Sequence, residues 1–128
     1  MKNTTCSFCR ILETKSEPII AENDYAFAIY DQTPATEGHT LIIPKDHIVS
    51  LFDCPSKTIQ EMFNLMFAVK DKISKSHKPR GYTIGINEGE AAGRAIDHLH
   101  IHLIPRYEKG KGKGIRAIAK LLVDEEKK

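Results

Sequence analysis

Apolar side chains recur at helical spacing between residues 57 and 76. Ile59, Met62, Phe63, Met66, Phe67 and Ile73 form one stripe, with Lys70 as its gap. Ser56 stands where a helix N-cap is expected, and Pro79, Arg80 and Gly81 end the region. The Met and Phe stripe reads as core. A shorter helical face, Phe8, Ile11 and Leu12, lies in "CSFCRILE". Elsewhere the pattern is that of strands. "EPIIAEND" (17–24) and "YAFAIYD" (25–31) flank the turn pair Asn23-Asp24, which predicts a hairpin. "TLIIP" (40–44) reads as a buried strand, and "YTIGIN" (82–87) alternates. "HLHIHLIP" (98–105) alternates too and is stopped by Pro105. "QTPATEGH" and "EGEAAGR" are loops. "EKGKGKG" is flexible and basic, "IRAIAKLLV" reads as a short helix or an added strand, and "DEEKK" as a solvated tail. No repeat breaks the chain. The pattern predicts one α+β domain over residues 1–128 with an antiparallel sheet, of which 108–128 form a basic C-terminal extension.

The alternating run at 98–105 also carries chemistry. Side chains on a strand point to opposite faces in turn. His98, His100 and His102 therefore share one face, and Leu99, Ile101 and Leu103 share the other. The chain has six histidines, and half of them fall within five residues. Three adjacent imidazoles repel when protonated together, so they are expected to titrate low or to be tied to a metal or an anion. They either hold a metal ion, or one attacks phosphorus while others bind phosphate oxygens.

Composition narrows the setting. A net charge of +2 does not argue for nucleic acid or a membrane surface as partner. No apolar run approaches the ~20 residues that span a bilayer, and "MKNTTCSFCR" lacks the apolar segment of a signal peptide. Three cysteines make a poor disulfide framework. A cytoplasmic protein is expected. Cys54 reads as a small buried hydrophobe, and His77, at the end of the long helix, as exposed.

"HLHIHLI" resembles the signature of the histidine triad (HIT) family, and the likeness extends well beyond it. "DQTPATEGHTLIIPKDH" (31–47) resembles the family's segment with a ribose-binding acid, a Gly-His pair and a Pro-Lys-x-His turn. "INEGEAAGR" (86–94) resembles the loop before the triad, and "CSFC" the zinc-binding branch. The resemblance implies a five-stranded antiparallel sheet with one long and one short helix. It also implies pairing into a homodimer with a continuous ten-stranded sheet, with the long helix and "YTIGIN" at the interface.

It implies a reaction as well: cleavage at the α-phosphate of an AMP derivative, an adenosine phosphoramidate or a diadenosine polyphosphate, through a nucleotidyl-histidine intermediate. His100 matches the nucleophile, and the backbone carbonyl of His98 its tautomer anchor. His102 matches the phosphate or leaving-group contact, and His39 a fourth active-site histidine. Asn87 and the Gly93 backbone N–H match groups around the phosphate, and Asp31 the ribose acceptor. Phe8, Ile11 and Leu41 match the lining of the base pocket. Where many members have Gln followed by Ser or Thr, this chain has Arg94-Ala95. Arg94 either supplies a charge-assisted bond to phosphate, favouring polyphosphates, or points to solvent.

Cys6-x-x-Cys9 places two thiols close enough for one ion, and a closed tetrahedral zinc site needs two further ligands. By resemblance these are His47 and His98. Two other readings stay open at this level. One is a zinc-containing nucleotide-binding regulatory module with little turnover. The other is a metallohydrolase in which all three triad histidines ligate the metal.

Overall fold

The computed structural model of the protein describes residues 5–126. Five strands form one antiparallel sheet: β1 Ala21–Glu22, β2 Ala26–Tyr30, β3 Thr40–Pro44, β4 Gly81–Gly85 and β5 Ile101–Arg106. Their order across the sheet is β1-β2-β3-β5-β4. Helices α1 (Ser7–Thr14), α2 (Ser56–His77) and α3 (Ile115–Glu126) complete the α+β fold. The third helix resolves the choice left at "IRAIAKLLV" and exceeds the two helices expected.

The central strands are covered on both faces. Ala26 and Ala28 of β2 and Ile42 of β3 pack with Met62, Leu65, Met66, Val69 and Ile73 of α2. Their neighbours Phe27, Ile29, Leu41 and Ile43 pack on the other face with Phe8, Cys9 and Ile11 of α1. The alanines on the α2 side let the helix approach the sheet closely. The larger side chains fill the α1 side, each fully buried one contributing ~1.5–3 kcal/mol.

Several boundaries differ from the sequence reading for local reasons. Pro55, not Ser56, takes the cap position of α2. Its carbonyl accepts from the Ile59 N–H, and it makes no side-chain cap. The α2 stripe is rotated: Leu65 and Val69 are buried, while Phe63, Phe67 and Lys70 are exposed on its flank. Of "EPIIAEND" only Ala21–Glu22 is strand. The turn after it holds as expected, with the Asn23 side chain accepting from the Tyr25 and Ala26 N–H groups. Gly81 starts β4 rather than ending the helix, and Arg106 extends β5 past Pro105. Pro105 lies opposite Tyr82 at that end of the ladder. β5 itself begins at Ile101, so His98 and His100 sit in an extended lead-in. Cys54 is buried in the α2-side core as expected. His77 is half-buried, with Nε2 3.9 Å from a Glu37 carboxylate oxygen, rather than free in solvent.

Candidate active site and metal centre

The alternation at 98–103 holds through the lead-in and into the strand. Leu99, Ile101 and Leu103 enter the α2-side core. The three imidazoles lie on the α1 side, where the Phe8 ring packs edge-on against His98 and His100. The Leu99 N–H donates to the Ile48 carbonyl at 2.7 Å, which holds the lead-in straight although it is not yet in the ladder.

Hydrogen bonds assign each ring a tautomer. His100 Nδ1 lies 2.8 Å from the His98 carbonyl. A carbonyl only accepts, so Nδ1 carries the proton and Nε2 presents a lone pair. The Ala35 N–H donates to Nδ1 of His39 at 3.0 Å. Neutral His39 therefore carries its proton on Nε2, which lies 3.0 Å from Nδ1 of His102. His102 accepts there and keeps its own proton on Nε2. Two adjacent rings, 5.0 Å apart between centroids, thus present a lone pair and an N–H. Burial, with the His100 and His39 imidazoles close enough to oppose a further positive charge, pushes His102 down to about 4, so it is neutral at pH 7. Burial also lowers His39, outweighing Asp31, whose Oδ2 is 3.4 Å from Nε2.

Beside these rings, Cys6, Cys9, His47 and His98 bring four ligand atoms within 4.8 Å of one another. Cys6 is the N-cap of α1 and Cys9 lies in its first turn, so one helix start delivers both thiols. Cys6 Sγ is 3.2 Å from His98 Nδ1, and Cys9 Sγ is 3.4 Å from His47 Nδ1. Edges of a tetrahedral zinc site with these donors are about 3.3–3.8 Å. His98 Nε2 lies 2.8 Å from the Pro44 carbonyl, so it carries the proton and leaves Nδ1 free for a metal. Burial, with Cys9 close by, pushes the Cys6 thiol up, and burial, with His47 and His100 close by, pushes His98 down to about 4. A divalent cation reverses that order for the thiol, because it binds the thiolate. The donor set therefore fits a metal ion.

Asp31, His39 and His102 form a second, three-membered cluster with ligand atoms within the same 4.8 Å. Here the test fails. Nδ1 of His39 accepts from a backbone N–H, so Nε2 is protonated and offers no lone pair. That cluster is a hydrogen-bonded relay, and the three triad histidines do not converge on one ion as a metallohydrolase site requires.

Of the seven nucleotide-binding residues expected from the sequence, the ribose and base group meets in one cavity of about 250 Å³, and Asn87, Gly93 and Arg94 lie outside its lining. Phe8, Ile11, Leu41 and Asp31 line it, and so do Ile29, Ile96, Glu17 and Gln32, which the sequence reading missed. Glu17 reaches it from the segment between α1 and β1, and no motif marks it. Asn87 is exposed in the loop after β4. Gly93 closes a 3-10 turn with φ +96°, its N–H donating to the Glu90 carbonyl at 3.0 Å. Arg94 turns away from solvent, held between Asp97 (3.1 Å) and Glu88 (3.8 Å).

The HIT domain family model matches residues 13–109. This chain belongs to the HIT family. An uncharacterised HIT-like protein of Mycoplasma genitalium is 40% identical over 116 residues, covering 88% of this chain and 82% of that one. The adenosine 5'-monophosphoramidase of Saccharomyces cerevisiae is 32% identical over 111 residues, covering 86% and 68%. A zinc-bound HIT family protein of Mycobacterium smegmatis superposes with a TM-score of 0.68 at 36% identity, covering 84% of this chain and 78% of that one.

Proposed function

We propose that this HIT protein is a nucleotide hydrolase or nucleotidyl transferase acting at the α-phosphorus of an AMP derivative, an adenosine phosphoramidate or a diadenosine polyphosphate. One observation carries the reading: His100 presents a lone pair beside a His102 N–H, both set by hydrogen bonds already in place. A neutral imidazole attacks phosphorus well near pH 7. Its Nε2 forms the N–P bond while the bond from phosphorus breaks to the leaving phosphate, or to an amine that takes a proton from water as it departs. His102 Nε2–H meets the phosphate oxygens, where charge grows in the transition state. Water then attacks the same phosphorus and releases the nucleoside monophosphate from His100. Asp31 accepts from the ribose hydroxyls, and the apolar cavity beside it takes the base. Asn87, Gly93 and Arg94 belong to the loop nearest the leaving group. Arg94 needs to exchange Asp97 for phosphate to act there. Similarity to the yeast adenosine 5'-monophosphoramidase supports the reading.

Zinc is the metal best suited to two cysteines and two histidines, and the zinc-bound mycobacterial relative supports it. Its role is structural: it ties α1 to His98, whose carbonyl orients the nucleophile. Cysteines kept reduced as zinc ligands suit a reducing compartment such as the cytoplasm. Among the described residues no helix is long and apolar enough to cross a membrane. β4 is an edge strand beside exposed Phe67 and Ile84, which supports pairing with a second copy into a homodimer.

The test is AMP release from an adenosine phosphoramidate and from diadenosine polyphosphates. The wild type releases AMP from at least one of them. His100→Asn loses at least ~10³-fold in rate and still binds AMP. No release from either substrate by folded, metal-loaded protein overturns the hydrolase reading and leaves the regulatory nucleotide-binding module.

A further inference from the structure

The base cavity is not uniformly apolar. Phe8, Ile11, Ile29, Leu41 and Ile96 form walls suited to the faces of a flat ring. Its charged lining groups are Asp31, which stands beside His39 and His102, and Glu17. Glu17 is half-buried, and its carboxylate accepts a hydrogen bond from Nε2 of Gln32, which lines the same cavity. β1 and β2 pair Ala21 with Ala28 and Glu22 with Phe27. Glu17 and Gln32 lie in the segments just outside that ladder and meet through their side chains.

A carboxylate accepts hydrogen bonds and donates none. On the hydrogen-bonding edge of guanine, N1–H and the N2 amino group are two donors side by side, and one carboxylate takes both. Adenine presents an N6 amino donor next to the N1 acceptor. A carboxylate there meets one good partner and one lone pair. The Gln32 amide spends one N–H on Glu17 and keeps a second, which suits guanine O6 as acceptor. With the sugar at Asp31 and the ring between the apolar walls, the base edge has this pair to meet.

We propose that Glu17 and Gln32 read the base edge and make this protein prefer guanosine over adenosine nucleotides. The inference rests on the nucleotide-hydrolase reading for the placement of the ribose and phosphate. It names which nucleotides that site takes best: adenosine phosphoramidates are turned over, and guanosine phosphoramidates with the same leaving group are turned over faster. The discrimination is read in KM and in binding, because the contact lies away from the reacting phosphorus and is present before and during reaction.

The test compares kcat/KM for guanosine and adenosine phosphoramidates carrying the same amine, together with calorimetric binding of GMP and AMP. Wild type favours guanosine by about tenfold or more, the scale of one hydrogen bond to a charged group. Glu17→Gln replaces the acceptor pair with one donor and one acceptor, which matches adenine. In that variant the guanosine advantage falls away, chiefly through KM. Glu17→Ala abolishes the preference without creating a new one, and a thermal melt shows that both variants are folded. Equal handling of the two bases by wild type overturns the proposal, and so does a guanosine preference that survives both substitutions. If neither phosphoramidate is cleaved, the hydrolase reading fails separately, and GMP against AMP binding still decides the base preference.

Discussion

His39 receives one hydrogen bond and passes on another, and that sets the chemistry of its neighbour. The Ala35 N–H fixes its proton on Nε2, and Nε2–H fixes His102 as a donor toward substrate. His39→Phe keeps a ring of similar size in the buried position but removes the Nε2–H. The relay then has no reason to keep the proton on His102 Nε2. The expected result is a kcat lower by on the order of 10²-fold with KM little changed, the loss of one preorganised donor. A steady-state comparison with wild type checks this. Full activity in His39→Phe contradicts the tautomer assignment. The triad itself was legible in the sequence, since strict alternation at 98–102 puts three imidazoles on one face whatever surrounds them. The tautomers were not, because they depend on a backbone N–H from Ala35 that no motif marks.

At the scale of elements, α1 does two jobs at once. It begins on Cys6, carries Cys9 in its first turn, and presents Phe8 and Ile11 to the base cavity. On the proposed reading, a metal held there steadies both His98, the anchor of His100, and one wall of the base cavity. Cys6→Ser removes a buried ligand. Its metal content falls from about one zinc per chain to none, and its melting temperature drops by more than about 5 °C. Elemental analysis and a thermal melt check the two parts. A wild type that is metal-free, or a variant that melts unchanged, removes the clamp. The helix, the hairpin and the strand at 40–44 could be read from spacing. The placing of Phe63 and Phe67 could not, because α2 carries more apolar residues than one face can bury. Leu65 and Val69 are buried in the core cluster that also holds Ala26, Ala28 and Ile42 of the sheet. The pairing of His47 with His98 came only through the family likeness, since local spacing says nothing about residues brought together by the sheet.

For the molecule as a whole, the sheet has unequal edges. β1 is two residues long, whereas β4 runs five residues with its outer side unpaired. Beside it, Phe67 (59% exposed) and Ile84 (47% exposed) line one groove, and α3 exposes Ile115, Leu121 and Val123. Such an edge invites pairing. Ile84→Arg places a charge in that groove, and light scattering is expected to show a dimer for wild type and a monomer for the variant. A wild type that runs as a monomer, or a variant that stays dimeric, contradicts the pairing through β4. The sheet's content was legible in the sequence. The helical state of 115–126 was not, because no described contact buries its apolar side chains and the alternation test has nothing to act on there.

The covalent route through His100 is tested most directly by the stereochemical course at phosphorus. A P-chiral adenosine thiophosphoramidate, hydrolysed in isotopically labelled water, gives a product whose configuration can be read. Two in-line displacements, first by His100 Nε2 and then by water, predict net retention. Net inversion means that water attacked the substrate directly, and it contradicts the nucleotidyl-histidine intermediate.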